Sequence, residues 1–162
     1  MIARLVGSEM CIRDRPRESV FSSLKSSHTS NLDTLSAVGD GKQPRWSSGK
    51  DVPRWTSRPQ LGVKQWVEGY FAEPRKIRDV GVYWMQDQQE VKFPKEWSLE
   101  VRSGGKWKPF ELYVTDRYDN RANQYNVVHP AAPLTCDAIR INMTPNENAA
   151  VGILEVQVAF EN

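Results

Sequence analysis

The stretch Trp97-Ser98-Leu99-Glu100-Val101-Arg102-Ser103-Gly104-Gly105-Lys106-Trp107-Lys108-Pro109 decides the fold. Trp97, Leu99 and Val101 alternate with Ser98, Glu100 and Arg102, the period of a strand with one buried face. Ser103-Gly104-Gly105 supplies a turn, and Trp107–Val114 is expected to return as the second arm of a hairpin. Further along, Ile139, Ile141 and Met143 alternate with Arg140 and Asn142, and Leu154, Val156, Val158 and Phe160 alternate with Glu155, Gln157 and Ala159. Upstream, Gln65–Phe71 and Ile77–Trp84 are apolar, β-rich runs, with Glu73-Pro74-Arg75-Lys76 expected as a turn between them. From Ser26 onward Pro44, Pro53, Pro59, Pro74, Pro94, Pro109, Pro130, Pro133 and Pro145 leave few windows for an ordinary helix. One short turn is expected around Asn31–Val38, capped by Asn31 or Asp33. Many short strands without βαβ alternation point to an all-β fold, an antiparallel β-sandwich with at most one short helix.

The chain has 162 residues, and its 22 Lys+Arg against 20 Asp+Glu give a net charge of +2. That length suits one domain with a proper core, and the near-balanced charge gives no basic footprint for nucleic acid. No run of about 18 apolar residues is present, so no membrane span is expected. Cys11 and Cys136 lie far apart without a CxxC or Cys/His cluster, which argues against zinc and a disulfide framework. The six Trp are the unusual component, because each needs a core slot or a ligand. Trp66, Trp97 and Trp107 sit in strand patterns and are assigned to the core, whereas Trp46 and Trp84 suit either an end plug or a ligand contact.

Residues 1–15 read differently from the rest. Ile2, Leu5 and Val6 are interrupted by Arg4, Gly7, Ser8 and Glu9, which defeats a signal-peptide assignment. Leu5-Val6-Gly7-Ser8-Glu9-Met10-Cys11-Ile12-Arg13-Asp14-Arg15 resembles a translated sequencing-adaptor read-through, so residues 1–15 are expected to be a non-native leader of a fragment. The Ser-rich residues 16–27 are expected as a linker or the end of a missing upstream domain, and residues 28–162 as the folded domain.

Catalysis is not indicated. Asp and Glu are plentiful, but no pair stands in a recognisable hydrolytic context. His28 and His129 lie near no nucleophile motif, and Cys136 precedes a strand without an activating neighbour.

Taken in order, several segments resemble discoidin domains, the coagulation factor 5/8 type C, galactose-binding-like family. They are Asp40-Gly41, Gln65–Phe71, Val80 to Tyr83-Trp84, Phe93–Val101 with Gly104–Pro109, Ala138–Ile141 and Gly152–Val156. Pro53-Arg54-Trp55-Thr56 and the Gly-Ile-Leu-Glu finish resemble most closely the C-terminal module of bacterial β-L-arabinofuranosidase-like glycoside hydrolases. Ser57-Arg58 and Met85-Gln86-Asp87-Gln88-Gln89 depart from that module's pattern, in expected loops. The resemblance implies a jelly-roll sandwich, a non-catalytic role in binding polysaccharide, catalysis in an upstream domain, and a secreted, periplasmic or cell-surface location. It also implies a structural calcium ion tied by Asp40 and Glu155; from the residues alone, these two read equally as a turn and an exposed strand position.

A sugar site needs an aromatic platform beside planar hydrogen-bonding groups. Arg54, Trp55 and Arg58 offer that combination, with Trp55 the foremost platform; Trp84 with Asp87, and Arg117 with Tyr118, offer it again. A protein- or lipid-binding adhesion domain and a strut packing on a catalytic domain are the alternatives.

Overall fold

The Trp97–Pro109 stretch folds as its alternation dictates. Strands β4 (Glu96–Ser103) and β5 (Lys106–Pro109) pair antiparallel and close at Ser103↔Lys106. Gly104 and Gly105 between them have φ of 61° and 78°, a left-handed pair that glycine alone takes without strain and that matches the strands' twist. β5 stops at Pro109 instead of running to Val114, since proline brings no N–H to the ladder.

A computed structural model describes residues 19–161. Besides the hairpin these include β1 (Ser23–Ser26), β2 (Trp55–Thr56), β3 (Gln65–Trp84), β6 (Tyr125–Val128), β7 (Leu134–Thr144) and β8 (Gly152–Phe160). A short 3-10 helix, Leu35–Gly39, precedes β2. Its N-cap is Thr34, without a side-chain cap bond, rather than Asn31 or Asp33.

The turn expected at Glu73–Lys76 does not form. β3 runs through it as one 20-residue strand, with a register shift between Tyr70 and Arg75. Pro74 sits inside that irregularity, where no ladder N–H is demanded of it. The bend lets β3 serve two layers. Its first half pairs with β1 and β7, and β7 continues to β4 and β5; its second half pairs with β8 and β6, and β8 with β2. The architecture is an antiparallel, galactose-binding-like β-sandwich.

Val67, Leu99, Val101, Ile139 and Ile141 of one layer meet Val80, Val82, Ile153, Val156 and Val158 of the other in a single core. Trp84 packs edge-on against Trp97, with ring centroids 5.2 Å apart, joining the layers. Residues 21–26, expected to lie in a linker, belong to the sandwich. β1 pairs with β3, and Phe21, 8% exposed, stacks on Phe71 at 5.7 Å. Gly69 makes room for it, because a Cβ there would stand 2.4 Å from the Phe21 ring. The leader expected at residues 1–15 lies outside the described residues.

Candidate functional site

Three loops meet where β3 ends and β8 begins. The Trp46–Gly49 turn closes through the Gly49 N–H on the Trp46 carbonyl at 3.0 Å. Buried Ser47 then fixes the turn to its neighbours. Its N–H donates to Asn123 Oδ1 and its Oγ accepts from the Asn123 N–H, both at 2.8 Å, while its carbonyl accepts the Gln86 N–H at 3.0 Å. Asn123 holds φ of 62°, a left-handed conformation that asparagine tolerates. Every hydrogen-bonding group of Ser47 is thus satisfied inside, and its neighbour is turned out. Trp46 is 61% exposed. Arg45, Ser48 and Gln88 are exposed on the same or adjoining loop, as are Arg121 and Gln124 on the loop that Asn123 holds.

The residues predicted for the site divide sharply. Trp55 is 0% exposed and lies in the core, so it offers no face to a ligand; its indole N–H donates to the His28 carbonyl and Thr29 Oγ1, each at 3.0 Å. The physical reason is β2, whose pairing of Trp55 with Ile153 points the ring into the sandwich. Trp84 is likewise 0% exposed, and its indole nitrogen has no partner among the described residues. Trp66 and Trp107, assigned to the core, are instead half-buried outside the core cluster; Trp97 is a core residue.

Arg58 and Asp87 do come together, but toward each other. Arg58 reaches Asp33 Oδ2 at 3.2 Å, Asp87 Oδ2 at 3.5 Å and Glu90 Oε1 at 3.9 Å, and Arg54 stands 4.0 Å from Asp33 Oδ1. Thr56 Oγ1 donates to Asp33 Oδ2, the oxygen that Arg58 reaches. Asp87 Oδ1 accepts the N–H groups of Gln89, Glu90 and Val91, all at 2.9 Å. Burial alone would raise the Asp87 carboxyl, but those amides and Arg58 outweigh it and hold it below the usual carboxylate range. These charges fasten one loop to another. Tyr118 packs on Trp97 at 4.8 Å and its hydroxyl donates to the Phe110 carbonyl at 3.3 Å, which makes it a cover over the core; its neighbour Arg117 is exposed.

Asp40 and Glu155 are brought side by side. Glu155 is 3% exposed, and its Oε2 accepts the Gly41 N–H at 2.8 Å, while its Oε1 is buried without a partner. Burial first, and the Asp40 carboxylate next, push the Glu155 carboxyl up to about 9. Among the described residues no cluster of three or more His, Cys, Asp or Glu side chains gathers into a metal site. Elsewhere, burial pushes the Cys136 thiol up to about 11, the opposite of a nucleophile's tuning. His28 is bonded to the Arg58 carbonyl and His129 to Asp116.

Residues 22–156 match the family described as F5/8 type C domain. The chain belongs to that family. This F5/8 type C domain superposes on a chain of the Streptococcus pneumoniae β-galactosidase BgaA with a TM-score of 0.71 at 20% identity, covering 90% of this chain and 96% of that one. The family 32 carbohydrate-binding module of Clostridium perfringens NanJ, solved with galactose, follows at 0.65 and 13%, covering 86% and 93%. A chitosan-binding module of a Paenibacillus sp. IK-5 chitosanase/glucanase aligns at 0.61 and 17%, covering 87% and 96%. At such identities the likeness establishes the fold. No curated protein matches the chain. The residue that sequence reasoning undervalued in this F5/8 type C domain is Trp46. Its available signal was Gly49, which places the indole on a turn rather than a strand.

Proposed function

We propose that this F5/8 type C domain is a non-catalytic carbohydrate-binding module that grips sugar rings on Trp46. The observation that carries this is one exposed indole, held on a turn whose next residue is bonded to two other loops. An indole face takes the apolar C–H face of a sugar ring, and guanidinium and amide groups match its hydroxyls in fixed planes. Arg45, Arg121, Gln88 and Gln124 supply such groups, exposed on the three loops that Ser47 ties together. Galactose in the NanJ module and chitosan for the Paenibacillus module support sugar as the ligand class.

Asp40 and Glu155 fit a calcium ion, because a buried carboxyl oxygen without a donor beside a second carboxyl offers the hard oxygen ligands such an ion takes, and the ion's charge would hold both groups ionised. Backbone carbonyls near Gly41 would complete the six to eight oxygen ligands such an ion takes. The bound ion would supply fixed positive charge between the loop that carries Trp46 and β8. The parent is inferred to be a secreted bacterial glycoside hydrolase, akin to the β-L-arabinofuranosidase-like enzymes, whose catalytic domain lies upstream; the BgaA match, part of a β-galactosidase, supports that setting.

Affinity electrophoresis in gels containing plant and algal polysaccharides tests the function. Retardation by at least one polymer is expected. A folded protein that none of them retards would replace glycan binding with the strut.

A further inference from the structure

The outer surface of the β1-β3-β7-β4-β5 layer is built differently from an ordinary solvated sheet. Register lays rows of outward side chains across it: Tyr70, Ala138, Arg102 and Trp107; then Glu68, Arg140 and Glu100; then Trp66, Asn142 and Ser98. Arg140 in the middle donates from Nε to Glu68 Oε2 at 2.7 Å and from Nη1 to Glu100 Oε1 at 3.1 Å. The Trp107 ring lies over its guanidinium at 4.1 Å, and Tyr70 donates its hydroxyl to Glu68 Oε1 at 2.7 Å. Asn142 Nδ2 donates to Glu100 Oε1 at 2.8 Å, so the amide plane is fixed.

Beyond the third row, away from Arg140, the surface opens into a trough of about 380 Å3 lined by Trp66, Ser98, Glu100, Asn142, Thr144 and Lys64. That size lies within the roughly 300–1,000 Å3 of small-molecule sites. We propose that this trough is a second glycan subsite, which takes a neutral segment of a linear polysaccharide along the sheet. The inference rests on the carbohydrate-binding function proposed above, but uses the sheet face instead of the loops. Trp66 forms an aromatic wall, and the floor of Asn142, Ser98 and Thr144 presents hydroxyl and amide groups at the spacing of paired strands. The network behind them holds Asn142 and Glu100 in place before binding, which lowers the ordering cost of association. Charge selects the ligand. Glu96 and Glu100 line the trough against one cation, Lys64, and Arg140 behind it is paired with Glu68 and Glu100, so the trough carries no cationic excess to attract uronates.

The test is affinity electrophoresis of the full chain in soluble arabinan, galactan and, for contrast, polygalacturonate. Trp46→Ala is expected to weaken retardation by a neutral polymer yet leave a residue of it. Adding Trp66→Ala, or Ser98→Arg at an exposed floor position that does not threaten folding, should remove that residue, an affinity loss of about tenfold. Residual binding that Ser98→Arg leaves intact overturns the subsite, as does Trp46→Ala alone removing all retardation; both leave the proposed function standing. Polygalacturonate binding that Ser98→Arg abolishes overturns the neutral preference. Wild-type protein that no polymer retards overturns the function and the subsite together.

Discussion

Arg45-Trp46-Ser47-Ser48 and Arg54-Trp55-Thr56-Ser57 are almost the same tetrapeptide, yet one indole is 61% exposed and the other fully buried. The difference lies in what the backbone is bonded to. Trp55 and Thr56 pair with Ile153 and Gly152 of β8, which swings the ring into the core and gives its N–H two acceptors. Trp46 sits on a turn whose anchoring falls to the next residue, Ser47. The arginines part in the same way. Arg54 and Arg58 turn inward to Asp33, whereas Arg45 is exposed. Local composition names the chemistry available; the partner strand decides whether that chemistry faces the protein or the solvent.

The largest effect that tests this contrast is Trp55→Ala, which should cost about 3–5 kcal/mol of stability in denaturant unfolding. A loss below about 1 kcal/mol would mean that Trp55 is not a core residue, and the contrast would break. Next in size is the metal that would hold the Trp46 loop to β8. Calcium at a hundred times its Kd should stabilise the fold by about 2.7 kcal/mol, reversed by EDTA, and Glu155→Gln should abolish the response. The pH dependence has a definite sign. The Glu155 carboxyl titrates near 9 when folded against an ordinary 4.5, so without calcium its contribution is fully present below about 4.5 and fades as pH rises toward 9. Melting temperature in EDTA should therefore fall between pH 5 and pH 9, and calcium should flatten that fall. A flat profile in EDTA would contradict the buried pair.

A smaller effect separates the arginines. Arg58→Ala leaves Asp33, whose side chain is 5% exposed, short of a donor and should cost about 1–3 kcal/mol. Arg45→Ala, on the solvent side, should stay within about 0.5 kcal/mol. Thermal or urea unfolding of the two variants side by side checks this, and equal losses would erase the distinction.

Much of the fold was legible because it rests on period-two alternation. Trp97–Ser103, Ile139–Met143 and Leu154–Phe160 all fall inside strands of the sandwich, and Gly104-Gly105 forms the turn between β4 and β5. The continuity of β3 was not legible, since Pro74 signals a turn locally while the bulge between Tyr70 and Arg75 accommodates it. Phe21 was missed because one aromatic in a Ser-rich stretch shows no pattern, and its slot exists only through Gly69 far along the chain. The site was less legible than the fold. Arg58 and Asp87 read as free ligand-binding groups in the sequence, but Arg58 finds its carboxylate partners, Asp33 and Asp87, on loops distant in sequence, and Asp87 is further held by the amides of its own loop. Trp66 and Trp107 follow strand periodicity, which shows that they alternate but not which face of the layer meets water. Asp40 and Glu155 were paired through family resemblance, and they do stand together, with a buried oxygen whose lack of a donor no sequence pattern displays.

The most direct test is the glycan affinity of Trp46→Ala, measured by retardation in a gel containing a polymer that retards the wild type, alongside its melting temperature. An affinity loss of about tenfold is expected with stability unchanged within about 0.5 kcal/mol, because the ring is exposed and its turn is held by Ser47. Undiminished retardation in a folded Trp46→Ala protein would contradict the account.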